Sequence, residues 1–403
     1  MKILFLTARP PDPIFKADQH RTYHQIRELV NRHSVTVLTL AQGEQAIRRC
    51  EEALHPLGVR VEAVIQPKHP NLRALVGLCT RVPLQVYVNR SRRMRQRLEE
   101  LLNEQEFDWV HATTMRMVEY GLQVGDRARK LMDCIDCLSL AMHRRQSASS
   151  LPISMVYWLE GRRLRELERR TLPLFDRTAV ISERDREAMG SPPNMEIVPN
   201  GVDTDRWRRL DVRKDPERLV FSGYIGALPN ADAALYLCTE IMPRIWARRP
   251  SVKLDIVGAD PPDKLRHRAS NGKITVTGFV TDMVSCLNAA SVAVAPLRCS
   301  TGLQNKVLEA FACGLPVVAT PLANAGIGAR PGHEILEADD PDTFADHVLR
   351  LLADEHLRAR LARAGQTLVA EQWSWSRHVG KLEACYARPG AAAGAAIRQA
   401  ESA

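Results

Sequence analysis

Short runs rich in β-branched residues recur along the chain, each followed by a stretch whose apolar positions keep helical spacing, and this alternation leaves few folds open. In the first half the runs are KILFLTA, SVTVLTL, VRVEAVI, FDWVHAT, RKLMDCID and FDRTAVIS, with amphipathic stretches such as Gln19 to Val30 and Arg90 to Leu102 between most of them. In the second half they are RLVFSGYIG, VKLDIVGAD, ITVTGFV, VAVAPL and LPVVATP. Strands alternating with helices predict parallel sheets covered on both faces. Between the two series, EIVPNGVDTDRW breaks the pattern with Pro199, Asn200 and Gly201, and this predicts a hinge. The expected fold class is α/β, with two doubly wound, Rossmann-like domains facing across a cleft. The first spans 1–198, the hinge 199–208 and the second 209–370; a helix over 371–387 closes the chain, and the small, polar stretch 388–403 is expected to be disordered. At 403 residues and 45% hydrophobic composition, the chain can fill two such cores. Ligands of these sheets lie beyond the carboxyl ends of the strands.

Net charge is +9, and the basic excess lies mainly in the first half. A basic half can attract phosphates, a membrane surface or nucleic acid. Here the basic residues are scattered along Arg-rich helices without interleaved aromatics, so solvated helix faces are expected and nucleic acid is not. The apolar run Ile3 to Ala8 is short and is followed by RPPDP, which suits a first buried strand better than a secretory signal. With nine scattered cysteines, a reducing cytoplasm is the expected setting. Cys134 and Cys137 form a lone CIDC with no further ligands at zinc spacing, so ordinary thiols are expected and no metal site. No window approaches the roughly 18 consecutive apolar residues of a membrane span.

The stretch STGLQNKVLEAFACGLPVVAT, Ser300 to Thr320, carries a lysine and a glutamate inside an otherwise buried pattern. If a helix starts near Thr301, Leu303, Val307, Ala310 and Phe311 line one face, while Gly302, Asn305, Lys306 and Glu309 fall on another. Following the strand VAVAPL, the free N–H groups of such a helix favour an anion. Lys306 adds a full positive charge, and Glu309 can accept hydrogen bonds from vicinal hydroxyls. Phosphate followed by ribose is the ligand that uses all three features. The plain alternative is an exposed i, i+3 ion pair, common on helices and worth a few tenths of a kcal/mol.

With KVLEAFACGLPVVAT, VPNGVDTDRW, LDIVGAD, VTGFVTDMVSCLNAASVAVAPL and DDPDTFADHVLRLLAD, the sequence resembles the glycosyltransferases of family 4, retaining enzymes of GT-B architecture. FSGYIGALPNADA, LQNKVLEA and KADQHRTYHQIREL look more narrowly like a branch associated with bacterial exopolysaccharide gene clusters. The resemblance implies a nucleoside-diphosphate sugar as donor substrate, with no further cofactor, and donor contacts at Gly223, Tyr224, Asn230, Gly258, Thr301, Gly302, Gln304, Asn305, Lys306 and Glu309. It places Lys306, Glu309 and His111 in catalysis, and puts Asp18, Arg21, His111 and Asp136 on the acceptor side, with Asp133 also facing the cleft. A helix cap, a surface arginine and a structural histidine are the plain readings of Asp18, Arg21 and His111.

Three departures stand out. Glu309 matches the second glutamate of the family's E-x7-E pattern, but Thr301 stands where the first belongs. Tyr224 and Asn230 stand where much of the family has an arginine and a lysine clamping the diphosphate, and Ala17 replaces a glycine of the first loop. Lys306 and the helix start at Gly302 are the expected substitutes for the clamp. The implied activity is retaining, metal-independent transfer of a sugar to a glycan or lipid-linked hydroxyl acceptor, in which the acceptor attacks from the face that the diphosphate leaves. Catalysis would rest on positioning and preorganised charge. Alternatives are a binding protein without turnover and a nucleotide-sugar epimerase of the same architecture. The basic segment 81–97, with Val86, Tyr87 and Val88 beside Arg81, Arg90, Arg92, Arg93, Arg95 and Arg97, is the expected place of peripheral contact with the cytoplasmic membrane face.

Overall fold

The computed structural model describes residues 1–12, 16–66, 73, 76–147, 149–299 and 303–387. The chain divides into two compact units, the first comprising Met1–Asn200 together with the described residues from His378 onward, the second Gly201–Arg377. Thr301, Gly302 and the tail expected to be disordered lie outside the described residues.

In the first unit seven parallel strands form one sheet: β1 (Lys2–Thr7), β2 (Ser34–Ala41), β3 (Arg60–Ile65), β4 (Trp109–Thr113), β5 (Arg129–Ile135), β6 (Arg177–Val180) and β7 (Met195–Ile197). Their order, β3-β2-β1-β4-β5-β6-β7, reverses direction between β1 and β4. Every residue of β4, and all but the first of β1, is buried, because helices cover both faces of a parallel sheet. The register pairs Phe5 with His111 and shifts between Asp133 and Ile135. The helix Trp375–Ala387, from His378, packs with this unit.

The second unit repeats the plan with six strands: β8 (Arg218–Ser222), β9 (Lys253–Val257), β10 (Ile274–Val276), β11 (Val292–Ala295), β12 (Val317–Ala319) and β13 (Leu336–Glu337). The order is β10-β9-β8-β11-β12-β13, reversing between β8 and β11. Each unit has its own hydrophobic core. The backbone turns left-handed beyond β8 and β9, at Gly223 (φ 142°) and Gly258 (φ 150°), where side chains are disfavoured. A Cβ on Gly258 would stand 1.7 Å from the Gly223 carbonyl oxygen, so the two loops touch backbone to backbone.

Candidate active site

The second sheet reverses its strand order between β8 and β11, and open α/β sheets bind ligands at the carboxyl end of such a point. Gly223 follows β8 there. Across the reversal, β11 leads to the helix Asn305–Ala312. This helix begins later than the sequence pattern suggests: Gln304 has φ −94° and ψ 86°, outside the helical region, so Leu303 precedes the helix and Lys306 sits in its first turn. Val307, Leu308, Ala310 and Phe311 are buried; Lys306 and Glu309 are partly exposed. Asn305 is exposed and Gln304 buried.

Lys306 is held from three sides. Its Nζ donates to Asn230 Oδ1 and lies 4.7 Å from the centroid of the Phe221 ring, a cation–π contact. A Cβ on Gly223 would come within 3.3 Å of the same Nζ, a tight contact that glycine avoids. Asn230 in turn donates from Nδ2 to the Tyr224 carbonyl at 2.7 Å. Asn230 therefore ties loop and lysine together from the helix Leu228–Tyr236. Burial pulls the Lys306 pKa down to about 8, with Glu309 acting in the opposite sense. Burial pushes Glu309 up to about 7, against the Arg206 and Lys306 charges. Among the described residues the Glu309 carboxylate has no hydrogen-bond partner.

Beyond the same strand ends lie Tyr224, which the sequence reading selected, and others that it did not. Tyr224 is 57% exposed, and the neighbouring Asp260 carboxylate raises the phenol's pKa. Phe279, beyond β10, is 77% exposed. Arg298, beyond β11, pairs with Asp232 at 2.6 Å and stacks over Tyr236 at 4.3 Å. Every one follows a strand's carboxyl end or sits on the next helix, and that position was the only signal available in the sequence.

In the first unit Arg9, after β1, and Arg116, after β4, flank the other reversal point. They line a cavity of about 470 Å³ with Lys16, Gln19, Gln66 and Asn89. Asp18 pairs with Arg9 at 2.5 Å and lies 3.9 Å from Arg116, so one carboxylate faces two cations. Arg21, expected on the acceptor side with a surface arginine as the plain alternative, is neither: it is fully buried, with Nε donating to Asp133 at 2.8 Å and Nη1 to Asn200 at 2.9 Å. Burial alone would raise the Asp133 pKa, but the Arg21 and His111 contacts hold it well below the carboxylate range.

His111, expected to meet substrate, has no exposed surface. It stacks on Phe5 at 4.3 Å, and its Nδ1 is 2.6 Å from the Tyr386 hydroxyl. Its Nε2 is 3.6 Å from Asp133 Oδ2. Burial lowers its pKa despite Asp133, so the ring is neutral near pH 7. The physical reason is that β4 is central and the last helix covers its end; His111 and Asp133 position their neighbours. Asp136 is exposed. Cys134 and Cys137 are buried thiols whose pKa values burial raises.

The segment 81–97 presents only part of the basic face read from its sequence: Arg81, Arg92 and Arg93 are exposed, while the other three arginines are held by acids. Val86 is buried, Arg90 and Arg95 pair with Glu119, and Arg97 pairs with Glu62, Glu100 and Glu104.

Residues 219–354 match the family described as "Glycosyl transferases group 1", and residues 19–201 match the "Glycosyl transferase 4-like domain". The chain belongs to the family-4-type glycosyltransferases. Its α/β fold is GT-B. The Anabaena protein Alr3699/HepE in complex with UDP has the same fold, with TM-score 0.64 and 14% identity over 95% of this chain and 98% of that one. TarM has it with TM-score 0.67 and 12% identity over 96% and 99%. Among glycosyltransferase relatives, a Corynebacterium glutamicum GDP-mannose-dependent monoacylated alpha-(1-6)-phosphatidylinositol monomannoside mannosyltransferase is 28% identical over 48% of this chain and 56% of its own length. A D-inositol 3-phosphate glycosyltransferase of Geodermatophilus obscurus is 31% identical over 47% and 46%. The chain spans about half the length of the curated relatives it matches.

Proposed function

We propose that the chain is a glycosyltransferase that moves a sugar from a nucleoside-diphosphate sugar to a hydroxyl acceptor, with retention and without a metal ion. One observation carries the reading: Lys306 is fixed by Asn230 and Phe221 against Gly223, with an unpartnered Glu309 one turn further on. A part-desolvated ammonium beside a glycine loop suits a diphosphate, and a carboxylate without partners suits the hydroxyls of a ribose. Asn230, which occupies a place where the family has a clamping lysine, keeps the charge there by binding Lys306. In transfer, the bond from the sugar to the diphosphate breaks and the acceptor oxygen bonds to the sugar on the same face. The acceptor proton passes to a phosphate oxygen of the leaving group. Lys306 opposes the negative charge that grows on that group.

The first unit's cavity, with Arg9, Lys16 and Arg116 beside amide side chains, is the acceptor site in this reading. A lipid-linked acceptor, at the cytoplasmic membrane face, accords with the phosphatidylinositol monomannoside in the name of the Corynebacterium glutamicum relative, and a place in exopolysaccharide or other surface-glycan synthesis belongs to the same reading. A second reading, a nucleotide-sugar-binding protein without turnover, is favoured by Tyr224 and Asn230 in place of the clamp. Incubating the purified chain with a panel of nucleotide sugars and lipid-linked acceptors decides between them. Acceptor-dependent nucleotide release that is lost in Glu309→Ala supports transfer. Binding of a nucleotide sugar with no release under any pairing leaves the second reading, and no binding at all removes both.

A further inference from the structure

The helices Leu138–Ser147 and Ile153–Thr171 pack against each other as a hairpin. Its base is fixed: Glu168 is buried and accepts from the Ser139 hydroxyl at 2.6 Å and from its N–H at 3.2 Å. Midway, Gly161 lets the partner helix approach, since a Cβ there would touch Met142 Cβ at 3.4 Å. Glu160 is also buried and accepts from the Leu84 and Gln85 N–H groups at 2.8 and 3.0 Å, so its charge is taken inward.

The tip is another matter. Leu151, Ile153, Met155 and Trp158 are 73%, 54%, 63% and 47% exposed. These are four of the large apolar side chains left exposed in the described structure, gathered within residues 151–158. Between Asp136 and Glu160 the sequence contains no carboxylate at all, while Arg144 and Arg145 stand exposed on the first helix. Arg162, also exposed, lies over the Trp158 ring at 5.0 Å. Single exposed apolar residues need no explanation; a cluster of this size without a covering partner marks an interaction site.

We propose that this hairpin tip docks the protein on an anionic lipid surface. Trp158, Met155, Ile153 and Leu151 enter the headgroup boundary, and Arg144, Arg145 and Arg162 meet the lipid phosphates. Two features choose a bilayer over a protein partner. The patch is apolar at its end and cationic around it, with no acid to pair an incoming basic chain, and its tryptophan lies under an arginine as side chains of the water–lipid boundary do. No described helix is long and apolar enough to cross a membrane, so contact of this kind is peripheral. In 81–97, by contrast, Arg90, Arg95 and Arg97 spend their charge on Glu62, Glu100, Glu104 and Glu119.

The test is flotation of the full chain with vesicles of phosphatidylglycerol mixed with phosphatidylcholine, and with phosphatidylcholine alone, at low and physiological salt. Binding to the anionic vesicles is expected, about tenfold or more weaker for Met155→Ser/Trp158→Ser and for Arg144→Glu/Arg145→Glu. Arg90→Ala/Arg95→Ala should bind as the parent does. These tip positions are exposed, and matching urea melts confirm that the variants fold. Absence of binding, equal binding to neutral vesicles, or parental binding by either tip variant would overturn the proposal. So would a parent that light scattering finds dimeric and Met155→Ser/Trp158→Ser turns monomeric, because a second copy would then be the occupant.

Discussion

Lys306 and Glu309 titrate in the range where enzymes work, about 8 and about 7, each displaced chiefly by burial. In the proposed function, donor binding needs Glu309 ionised to accept hydrogen bonds from hydroxyls and Lys306 charged to meet phosphate. We therefore expect kcat/KM to rise with pH through about 7 and to fall above about 8. Glu309→Gln should flatten the acid limb, and Lys306→Arg should move the alkaline limb upward because guanidinium stays charged. A full pH profile of the three proteins checks this. Stability runs the other way: the folded Glu309 pKa stands above the ordinary glutamate value of 4.5, so the folded state holds the extra proton and stability is lost as pH rises from 4.5 through about 7. At pH 8, Glu309→Gln should accordingly gain ~1–3 kcal/mol in a urea melt while losing donor affinity. Lys306→Ala should raise the transfer barrier by ~2–4 kcal/mol with a smaller loss of donor binding. Asn230→Lys would set a second ammonium against Lys306, so any rescue by Tyr224→Arg with Asn230→Lys should appear only in the Lys306→Ala background. Parental kcat in Lys306→Ala would return the residue to a plain ion pair with Glu309.

At the scale of elements, the strands long enough to show a β-rich run were readable, and β7 and β13 were not. β7 runs almost directly into the break at Pro199 and β13 has only two residues, whereas the equally short β10 and β12 lie in longer β-branched runs. The 305–312 helix was legible in kind but not in its start, because Leu303 fits the apolar face whether or not the backbone there is helical. Likewise the i, i+3 spacing showed Lys306 and Glu309 sharing a face, while Phe221, Asp260, Arg206 and the Arg298–Asp232 pair reach the site only through the fold. His111 and Arg21 looked available because sequence records a strand end, not what covers it. The loops after β8 and β9 give the firmest element-level expectation. Gly258→Ala puts a methyl into the Gly223 carbonyl and strains a φ of 150°, so it should cost about 2–4 kcal/mol and displace Lys306's neighbour loop. Thermal unfolding together with donor titration would show both effects; a variant with parental stability would mean that the loops part easily.

For the molecule as a whole, the chain passes between units twice, after Asn200 and after Arg377. The two passages run side by side: the Val202 N–H donates to the Trp373 carbonyl at 2.6 Å, and a Cβ on Gly201 would meet the Trp375 nitrogen at 2.5 Å. What returns to the first unit is Tyr386, whose hydroxyl meets buried His111, and Glu383, which pairs with Arg32 at 2.5 Å and lies 2.8 Å from His33. Tyr386→Phe leaves the His111 Nδ1 buried without a partner, and we expect a loss of ~1–3 kcal/mol in chemical denaturation. The sequence division that gave 371–387 to a separate closing helix could not see that its last residues complete the other sheet's cover. A ribosome making this chain thus finishes all seven strands of the first unit, then the entire second unit, before the piece that seals β4 emerges. The early sheet must wait, its Trp109 and His111 without the Tyr386 that meets them, for the whole length of an inserted unit.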